Sequence, residues 1–202
     1  MLHFRIRDYL SILFYRLLGG LAGSFGSFGR RVRIVWPLRI FGARYCHFAD
    51  DCVVQYGGYL LAIHEHHEPP VLRIGARTMI GNHAHIVATR RVEFGSGVLT
   101  ADRLFVSDNR HRFEDPTVPV RDQGLVQLGE VTIGDGSWLG ENVCVLGASI
   151  GRQCVIAANS VVTRDIPDLC VAAGSPARIV KRYCEERGEW YRTDATGEFE
   201  PA

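Results

Sequence analysis

Residues 133–162 read IGDGSWLGENVCVLGASIGRQCVIAANSVV, and large aliphatic residues recur in this stretch at steps of 6, 6, 5, 6 and 6 residues. These aliphatic residues are Ile133, Leu139, Val145, Ile150, Ile156 and Val162. Neither the 3.6-residue period of an α-helix nor the two-residue period of a plain strand produces this spacing. A six-residue unit has room for one short strand and one corner. Three units therefore predict one triangular coil around an apolar interior.

The same pattern occurs earlier, at Ile74-Gly75, Ile80-Gly81 and Phe94-Gly95, and more loosely at Phe48-Ala49. We therefore predict an all-β domain over residues 32–166. In this domain, stacked coils bury a continuous apolar column, and each strand bonds to the coils above and below it. An ordinary β-sandwich is the alternative interpretation of the pattern.

The repeat is interrupted at residues 107–127, a polar stretch that contains Pro116 and Pro119. Because this segment is too long for a corner, we expect it to leave the column as a long loop. Long ordered loops in compact domains usually carry function. Residues 167–202 follow the repeat as a C-terminal segment, in which we expect a helix over residues 177–187 and then a tail.

The first 31 residues differ in character from the repeat. Apolar residues recur there at three- and four-residue steps, which predicts an amphipathic helix over residues 1–20 and a glycine-rich joint at residues 23–29. Residues 1–33 hold six arginines and one aspartate, a net charge of +5. Such a helix suits the surface of an anionic membrane. Packing against its own domain or a neighbouring subunit is the alternative.

The composition excludes several classes of protein. The chain has 202 residues, 47% of them apolar, which is enough for one domain with a sizeable core. Its 23 Lys and Arg residues nearly balance 22 Asp and Glu residues, so we expect no nucleic-acid partner. The six cysteines include no Cys-x-x-Cys pair, which indicates free thiols and a cytoplasmic location. The hydropathy pattern predicts no transmembrane helix, and Asp8 disfavours a signal peptide.

Three motifs carry a resemblance to a known family. WLGENV at 138–143, AANSVVTRDIP at 157–167 and AGSPAR at 173–178 resemble the hexapeptide-repeat acyltransferases. The nearest branches are the maltose and galactoside O-acetyltransferases and the acetyltransferases of polysaccharide biosynthesis. The resemblance covers residues 32–183. It implies a left-handed parallel β-helix, a homotrimer, acetyl-CoA as the co-substrate, and an active site between neighbouring β-helices.

His111 ends the sequence SDNRH, with which the long loop begins. By resemblance it occupies the place of the family's general base. Transfer of an acetyl group from a thioester to an alcohol needs a base for the hydroxyl proton, and a neutral imidazole suits that role near pH 7. We predict that Asp108 either orients this imidazole, binds a sugar hydroxyl or caps the turn at which the loop begins.

The remaining site residues are also implied by the resemblance. Trp138 and Glu141 would line the pantetheine slot, and Ala158 would present backbone groups to the pantetheine arm. The adenosine phosphates would lie near four residues of the C-terminal half, Thr163, Arg164, Arg178 and Lys181. Arginine side chains bind phosphate well. Asn82 and His85 are candidates for contacts with the acceptor or the developing oxyanion.

The histidines at 64, 66 and 67 suggest a rival hypothesis, because γ-class carbonic anhydrases share the predicted fold and hold zinc with three histidines. The spacing here differs from theirs, and we predict no metal. The sequence therefore predicts a cytoplasmic O-acetyltransferase acting on a sugar hydroxyl of a glycan, with residues 1–20 as a contact to the inner face of the membrane. Acetylation of an antibiotic, or a non-catalytic β-helical scaffold, are the alternatives.

Overall fold

The structure is a computed structural model that describes residues 2–20, 23–65, 68–194 and 197–199. Within these residues the chain is mostly β, with one α-helix, α1 (Leu2–Gly20), and two short 3₁₀ turns at Ala43–Tyr45 and Val120–Asp122. The strands are β1 Ser27–Phe28, β2 Arg33–Ile34, β3 Arg39–Phe41, β4 Cys46–Phe48, β5 Val53–Val54, β6 Tyr59–Ala62, β7 Val71–Ile74, β8 Met79–Ile80, β9 His85–Ala88, β10 Arg91–Phe94, β11 Leu99–Thr100, β12 Phe105–Ser107, β13 Asn109–His111, β14 Leu125–Gln127, β15 Val131–Ile133, β16 Trp138–Leu139, β17 Cys144–Leu146, β18 Val155–Ile156, β19 Val161–Val162, β20 Cys170–Gly174, β21 Ala177–Cys184 and β22 Glu189–Arg192.

Successive strands enter three different sheets in turn, so that each strand pairs with the strand one coil before and one coil after it. The first sheet has the order β1-β4-β7-β10-β15 and the second has β2-β5-β8-β11-β16-β18-β20-β21-β22. The third has the order β19-β17-β12-β9-β6-β3. Pairing is parallel throughout the first and third sheets. The predicted all-β chain of stacked parallel strands is thereby confirmed.

The aliphatic residues that defined the repeat all point into one interior. Ile133, Leu139, Val145, Ile150, Ile156 and Val162 are at most 1% exposed and belong to a single core cluster. The glycines that follow the aliphatic residues allow the coils to stack closely. A Cβ atom at Gly75 would lie 2.2 Å from the Gly95 carbonyl oxygen of the next coil, and one at Gly81 would lie 2.2 Å from that of Ala101.

The small residues of the repeat complete the hydrogen bonds at the corners. The Ser137 hydroxyl donates to the Gly151 carbonyl oxygen at 2.8 Å and accepts from the Cys154 N–H at 2.9 Å. Ser160 accepts from the Gly174 N–H at 3.1 Å in the same way. A buried backbone group therefore finds a partner even where the strands end.

The structure corrects the expectation for the C-terminal segment. Residues 177–187 do not form the predicted helix, because β21 (Ala177–Cys184) pairs antiparallel with β20 and β22. The edge of β20 needs partners for its backbone, and Ile179 packs on the core from this strand. Tertiary pairing thus overrides a local pattern that suits a helix. At the other end, the predicted joint at 23–29 includes β1, which pairs with β4, and the buried Phe25.

Two further segments flank the coils. The polar segment leaves the third sheet after β12 and forms an antiparallel hairpin of β13 and β14, here called the hairpin, with an exposed tip at residues 112–122. Helix α1 covers the end of the coils at which β1, β2 and β3 are edge strands, since the Ser11 hydroxyl donates to the Ile34 carbonyl oxygen at 3.1 Å. In the part of the chain that the structure describes, no helix has both the length and the apolar content needed to span a bilayer.

Candidate active site

A pocket of about 720 Å³ lies between the hairpin and the outward face of the third sheet. The sheet contributes outward-facing residues of β6, β9, β12 and β17, and the hairpin contributes residues of both its strands and its tip. The principal lining residues are Tyr59, Leu61, His85, Val87, Phe105, Ser107, Asn109, Arg110, His111, Leu125 and Leu146. The pocket therefore joins a rigid sheet to a protruding segment.

His111 is the last residue of β13, where its backbone pairs with Leu125 of β14, and its side chain is exposed toward the pocket region. The neighbouring Arg110 reinforces the hairpin. Its guanidinium donates to the Glu114 carboxylate at 2.7 Å and lies 4.5 Å from the centre of the Phe113 ring. The hydrogen bond from Arg110, together with that from the Phe113 N–H, lowers the pKa of Glu114 to about 2.

Asp108 fixes the base of the hairpin. Its fully buried carboxylate accepts hydrogen bonds from the backbone N–H groups of Thr89, Arg90 and Arg91 at 2.7–3.0 Å. It also accepts from the Asn109 side-chain amide at 2.8 Å and from the Thr89 hydroxyl at 3.0 Å. The structure thus places Asp108 behind the strand that carries His111, with its oxygens bound to protein groups.

Gln127, on β14, also holds the base of the hairpin in place. Its side-chain amide donates to the Asp108 carbonyl oxygen at 2.8 Å, and its carbonyl oxygen lies 2.9 Å from the Thr89 hydroxyl, whose single proton is shared between this oxygen and the Asp108 carboxylate. Both strands of the hairpin are therefore tied to the turn after β9. A side chain held by such a network keeps its position relative to the sheet.

His85 lines the same pocket as His111. Its imidazole lies on the outward face of the third sheet, between the rings of Tyr59 and Phe105, with ring centres 4.8 and 5.2 Å away. Burial lowers the pKa of His85, which keeps the ring neutral near pH 7. Its Nε2 atom is buried without a hydrogen-bond partner among the described residues. An unsatisfied buried polar atom is unfavourable, which makes Nε2 a candidate for a hydrogen bond that the chain alone does not supply.

Asn82, the other acceptor candidate, lies outside this pocket. Its backbone N–H donates to the Asp102 carboxylate at 2.8 Å, and its side-chain amide donates to the same carboxylate at 3.0 and 3.1 Å. These bonds connect the corners of two successive coils. Asn82 therefore has its donors occupied within the protein.

The residues predicted to bind the acetyl donor, here called the donor-side residues, lie apart from the His111 pocket of the same chain. Trp138 is 49% exposed on the outward face of the second sheet. Glu141 and Ala158 follow at the corners between the second and third sheets, where the Glu141 carboxylate pairs with Arg103. Four further donor-side residues are exposed, two of them just after β19 and two on β21: Thr163, Arg164, Arg178 and Lys181.

The pairing register reveals a feature of the site that the sequence analysis missed. Tyr59 pairs with His85, and His85 pairs with Phe105, so that three rings form a ladder on adjacent coils. These residues are 26 and 20 positions apart in the chain. The hexapeptide step predicts which residues point outward. It does not predict which of them are neighbours, because the coils differ in length.

The other nucleophiles and possible ligands give no second centre. All six cysteines are free, and burial raises the pKa of Cys46 and of Cys52 to about 12, so that these thiols are poor nucleophiles. Among the described residues no group of three or more His, Cys, Asp or Glu side chains is arranged for a metal ion. The hydroxyl of Tyr45 lies 3.2 Å from His64 Nδ1, and residues 66 and 67 lie outside the described part.

Comparison with known proteins places this geometry in context. Residues 130–164 match the family model described as the hexapeptide repeat of succinyl-transferase. The chain is 40% identical over 111 residues to a Mycobacterium tuberculosis protein provisionally named as an acetyltransferase, a match that covers 54% of this chain and 37% of that protein. It is 33% identical over 135 residues to the galactoside O-acetyltransferase of Escherichia coli, covering 63% of this chain and 65% of the relative.

A third relative is an Escherichia coli protein provisionally named as an O-acetyl transferase of lipopolysaccharide biosynthesis. It is 35% identical over 128 residues, which cover 59% of this chain and 65% of the relative. The chain thus spans less than two thirds of the length of these three relatives.

Solved structures share the fold. An AntD mutant, an N-acyltransferase from Bacillus cereus in complex with dTDP and coenzyme A, matches with a TM-score of 0.64 at 16% identity, over 81% of this chain and 87% of that one. A hexapeptide-repeat acetyltransferase of Vibrio cholerae complexed with acetyl-CoA matches with a TM-score of 0.54 at 23% identity, over 81% of this chain and 74% of that one. The predicted resemblance to hexapeptide-repeat acyltransferases is thereby confirmed. Within that class, the Escherichia coli relatives are named for O-acetyl transfer.

Proposed function

We propose that the chain is an acetyl-CoA-dependent O-acetyltransferase that acetylates a sugar hydroxyl during the synthesis of a polysaccharide or a lipid-linked glycan. The observation that carries the proposal is the pocket in which His111, on the hairpin, and His85, on the sheet, line one space. The relatives named for galactoside and lipopolysaccharide acetylation support the acceptor class, and the coenzyme A complexes among the structural neighbours support the donor.

In the proposed reaction, His111 accepts the proton of the acceptor hydroxyl while the hydroxyl oxygen attacks the thioester carbonyl carbon. The tetrahedral intermediate then collapses with cleavage of the C–S bond. The proton on the imidazolium passes to the departing thiolate, so that an acetyl ester and free coenzyme A are formed. No covalent enzyme intermediate is needed, because a thiolate is a good leaving group.

His85 contributes the second polar group of the pocket. Its neutral imidazole has one nitrogen that donates and one that accepts. The unpartnered Nε2 would therefore bind the acceptor hydroxyl or, as a donor, the developing oxyanion. Asp108 contributes indirectly as a positioning residue, because its hydrogen bonds hold the base of the hairpin that presents His111.

The donor slot is proposed to form between neighbouring copies in a homotrimer of left-handed β-helices. Trp138, Glu141 and Ala158 lie along one edge of a chain, away from the pocket that His111 lines in that chain. A neighbouring copy would bring such an edge to the pocket. Thr163, Arg164, Arg178 and Lys181 would then lie near the phosphates of the donor. A cytoplasmic location fits the supply of acetyl-CoA.

The test is the release of coenzyme A by the full chain with acetyl-CoA and a panel of sugars. We expect His111→Asn to lower turnover about 100-fold or more, the scale for loss of a general base. The matched control is His47→Asn, a histidine on the outward face of the first sheet. Turnover that survives in His111→Asn would contradict the proposal. Turnover on chloramphenicol-like alcohols but not on sugars would indicate antibiotic acetylation. A wild-type chain that releases no coenzyme A with any of these acceptors would indicate a non-catalytic scaffold.

A further inference from the structure

Helix α1 presents two very different faces. The face toward the coils holds Ser11, which is buried and bonds to the backbone at Ile34 and Trp36, together with Tyr15 and Leu18, which pack on the core. The opposite face carries six large apolar side chains that are 43–66% exposed. They are Ile6, Tyr9, Leu10, Leu13, Phe14 and Leu17.

This arrangement differs from an ordinary surface helix in its outward face. Such a helix buries its apolar face against the core and presents its polar face to water. Here the docked face includes a serine and the half-buried Asp8, while the outward face is apolar at successive three- and four-residue steps. A continuous apolar surface of this kind marks a site that another surface covers.

Apolar side chains of the first coil are also exposed at the end of the molecule that α1 covers. Trp36 is 42% exposed and Leu38 is 76% exposed in the corner between β2 and β3, and the Trp36 N–H donates to the Ser11 hydroxyl at 2.7 Å. Phe41 of β3 is exposed at the same end of the coils. Tryptophan is the residue that bilayer interfaces favour, because its ring is apolar and its N–H is polar.

Positive charge lies on α1 and on the first coil at the same end of the molecule. Arg16, Arg33 and Arg39 are exposed and form no ion pair within the described residues, whereas Arg30 and Arg31 are paired with Asp50 and Asp51. Cations beside an apolar face suit anionic lipid headgroups. A second copy placed face to face would instead bring the same unpaired arginines together, which is unfavourable.

We propose that this N-terminal surface, formed by the outward face of α1 with Trp36, Leu38 and the three unpaired arginines, binds the surface of an anionic bilayer. The apolar side chains would enter the boundary between headgroups and acyl chains, and the guanidinium groups would remain at the phosphates. The proposal does not depend on acetyl transfer, since none of its residues lines the His111 pocket.

The experiment is flotation of the full chain with phosphatidylcholine vesicles that contain phosphatidylglycerol, and with vesicles of phosphatidylcholine alone. We expect binding to the anionic vesicles, and a fall of at least tenfold in the bound-to-free ratio for Leu13→Glu/Leu17→Glu. These two residues are exposed, so the charges should leave the fold intact. Circular dichroism and turnover on a soluble acceptor verify that, and they separate a failure here from a failure of the proposed enzyme activity.

A second, matched pair of variants tests whether the corner between β2 and β3, where Trp36 lies, contributes to vesicle binding. Trp36 and Trp190 are both 42% exposed, but Trp190 lies on β22, near the other end of the chain. Trp36→Asn should weaken vesicle binding and Trp190→Asn should not. The proposal is overturned if the wild-type chain fails to float, if it binds both kinds of vesicle equally, or if the double-glutamate variant floats like the wild type. It is also overturned if sedimentation without lipid shows that this variant dissociates an oligomer.

Discussion

The outward faces of the first and second sheets differ sharply, although the coils behind them are alike. On the first sheet one ladder across the paired strands is polar: Ser27, His47, Arg73, Glu93 and Thr132. On the second sheet the corresponding ladder begins at Arg33 and is apolar from there on: Val53, Met79, Leu99, Trp138 and Val155. The next residue in each strand points into the common core. The inward residues therefore specify the coil, and the outward residues specify what each face meets.

The largest effect should come from placing a charge on the apolar ladder. Leu99 pairs with Trp138, which lies on the edge proposed to meet a neighbouring copy. Leu99→Arg would therefore put a cation into that contact, where desolvation of an unpaired charge is expensive. We expect the wild type to sediment as the proposed trimer and the variant to sediment as a monomer at the same concentration, a change of about 100-fold or more in the dissociation constant. Thr132→Arg, at an exposed position of the polar ladder, is the control and should leave assembly unchanged.

The next largest effect is expected on stability, in a comparison of two neighbouring residues of β15. Ile133 is fully buried, and Thr132 faces outward from the first sheet. Truncation of Ile133 to Ala should lower the free energy of unfolding by about 2–5 kcal/mol, because it removes buried methyl groups and leaves a cavity. Thr132→Ala should change the same free energy by less than about 0.5 kcal/mol. Chemical denaturation measures both, and equal effects would contradict the assignment of inward and outward positions.

A smaller effect should appear as a pH dependence of stability. Burial lowers the pKa of His85 on the third sheet, and burial followed by the charge of Arg73 lowers that of His47 on the first. As the pH falls below about 6.5, the unfolded chain binds protons that these folded imidazoles resist, so stability declines. Above that pH both states are neutral and no effect remains. Replacing either histidine by Gln should flatten the decline, and an unchanged slope in denaturation between about pH 5 and pH 7 would refute the assignment.

The smallest effect should come from the ion pair on the polar ladder. The Nε atom of Arg73 lies 3.2 Å from Oε1 of Glu93, and half of the Arg73 side chain is exposed. Solvent screens such pairs, so Arg73→Gln should change the free energy of unfolding by less than about 1 kcal/mol. A larger loss, measured by denaturation at low and high salt, would mean that the first outward face is covered rather than solvated.

The sequence predicts the coils well because each coil repeats one local rule. An aliphatic residue points inward, and a glycine or alanine after it permits close stacking, as at Gly75 and Gly81. Where the chain departs from that rule, local patterns mislead. The segment 177–184 is a strand because β20 presents an unpaired edge, a fact that depends on the whole sheet.

Only part of the candidate site can be predicted from the sequence by the same reasoning. His111 is predicted because the family resemblance places the general base at this position, where the repeat is interrupted. The ring ladder of Tyr59, His85 and Phe105 and the buried position of Asp108 depend on register between coils of unequal length. Such register is a property of the assembled stack, so inspection of single segments does not reveal it.

The anchoring of the hairpin at Asp108 and Gln127 has a consequence for substrate choice. All the bonds that fix its base are made by residues before 110 or after 126, and the tip at 112–122 is exposed. Residues 115–122 of the tip can therefore be exchanged without removing these bonds or the contacts of Arg110 with Phe113 and Glu114, so we expect the imidazole at 111 to stay in place. If the proposed function holds, grafting tip sequences from sugar acetyltransferases onto this base would test whether the tip sets the choice of acceptor.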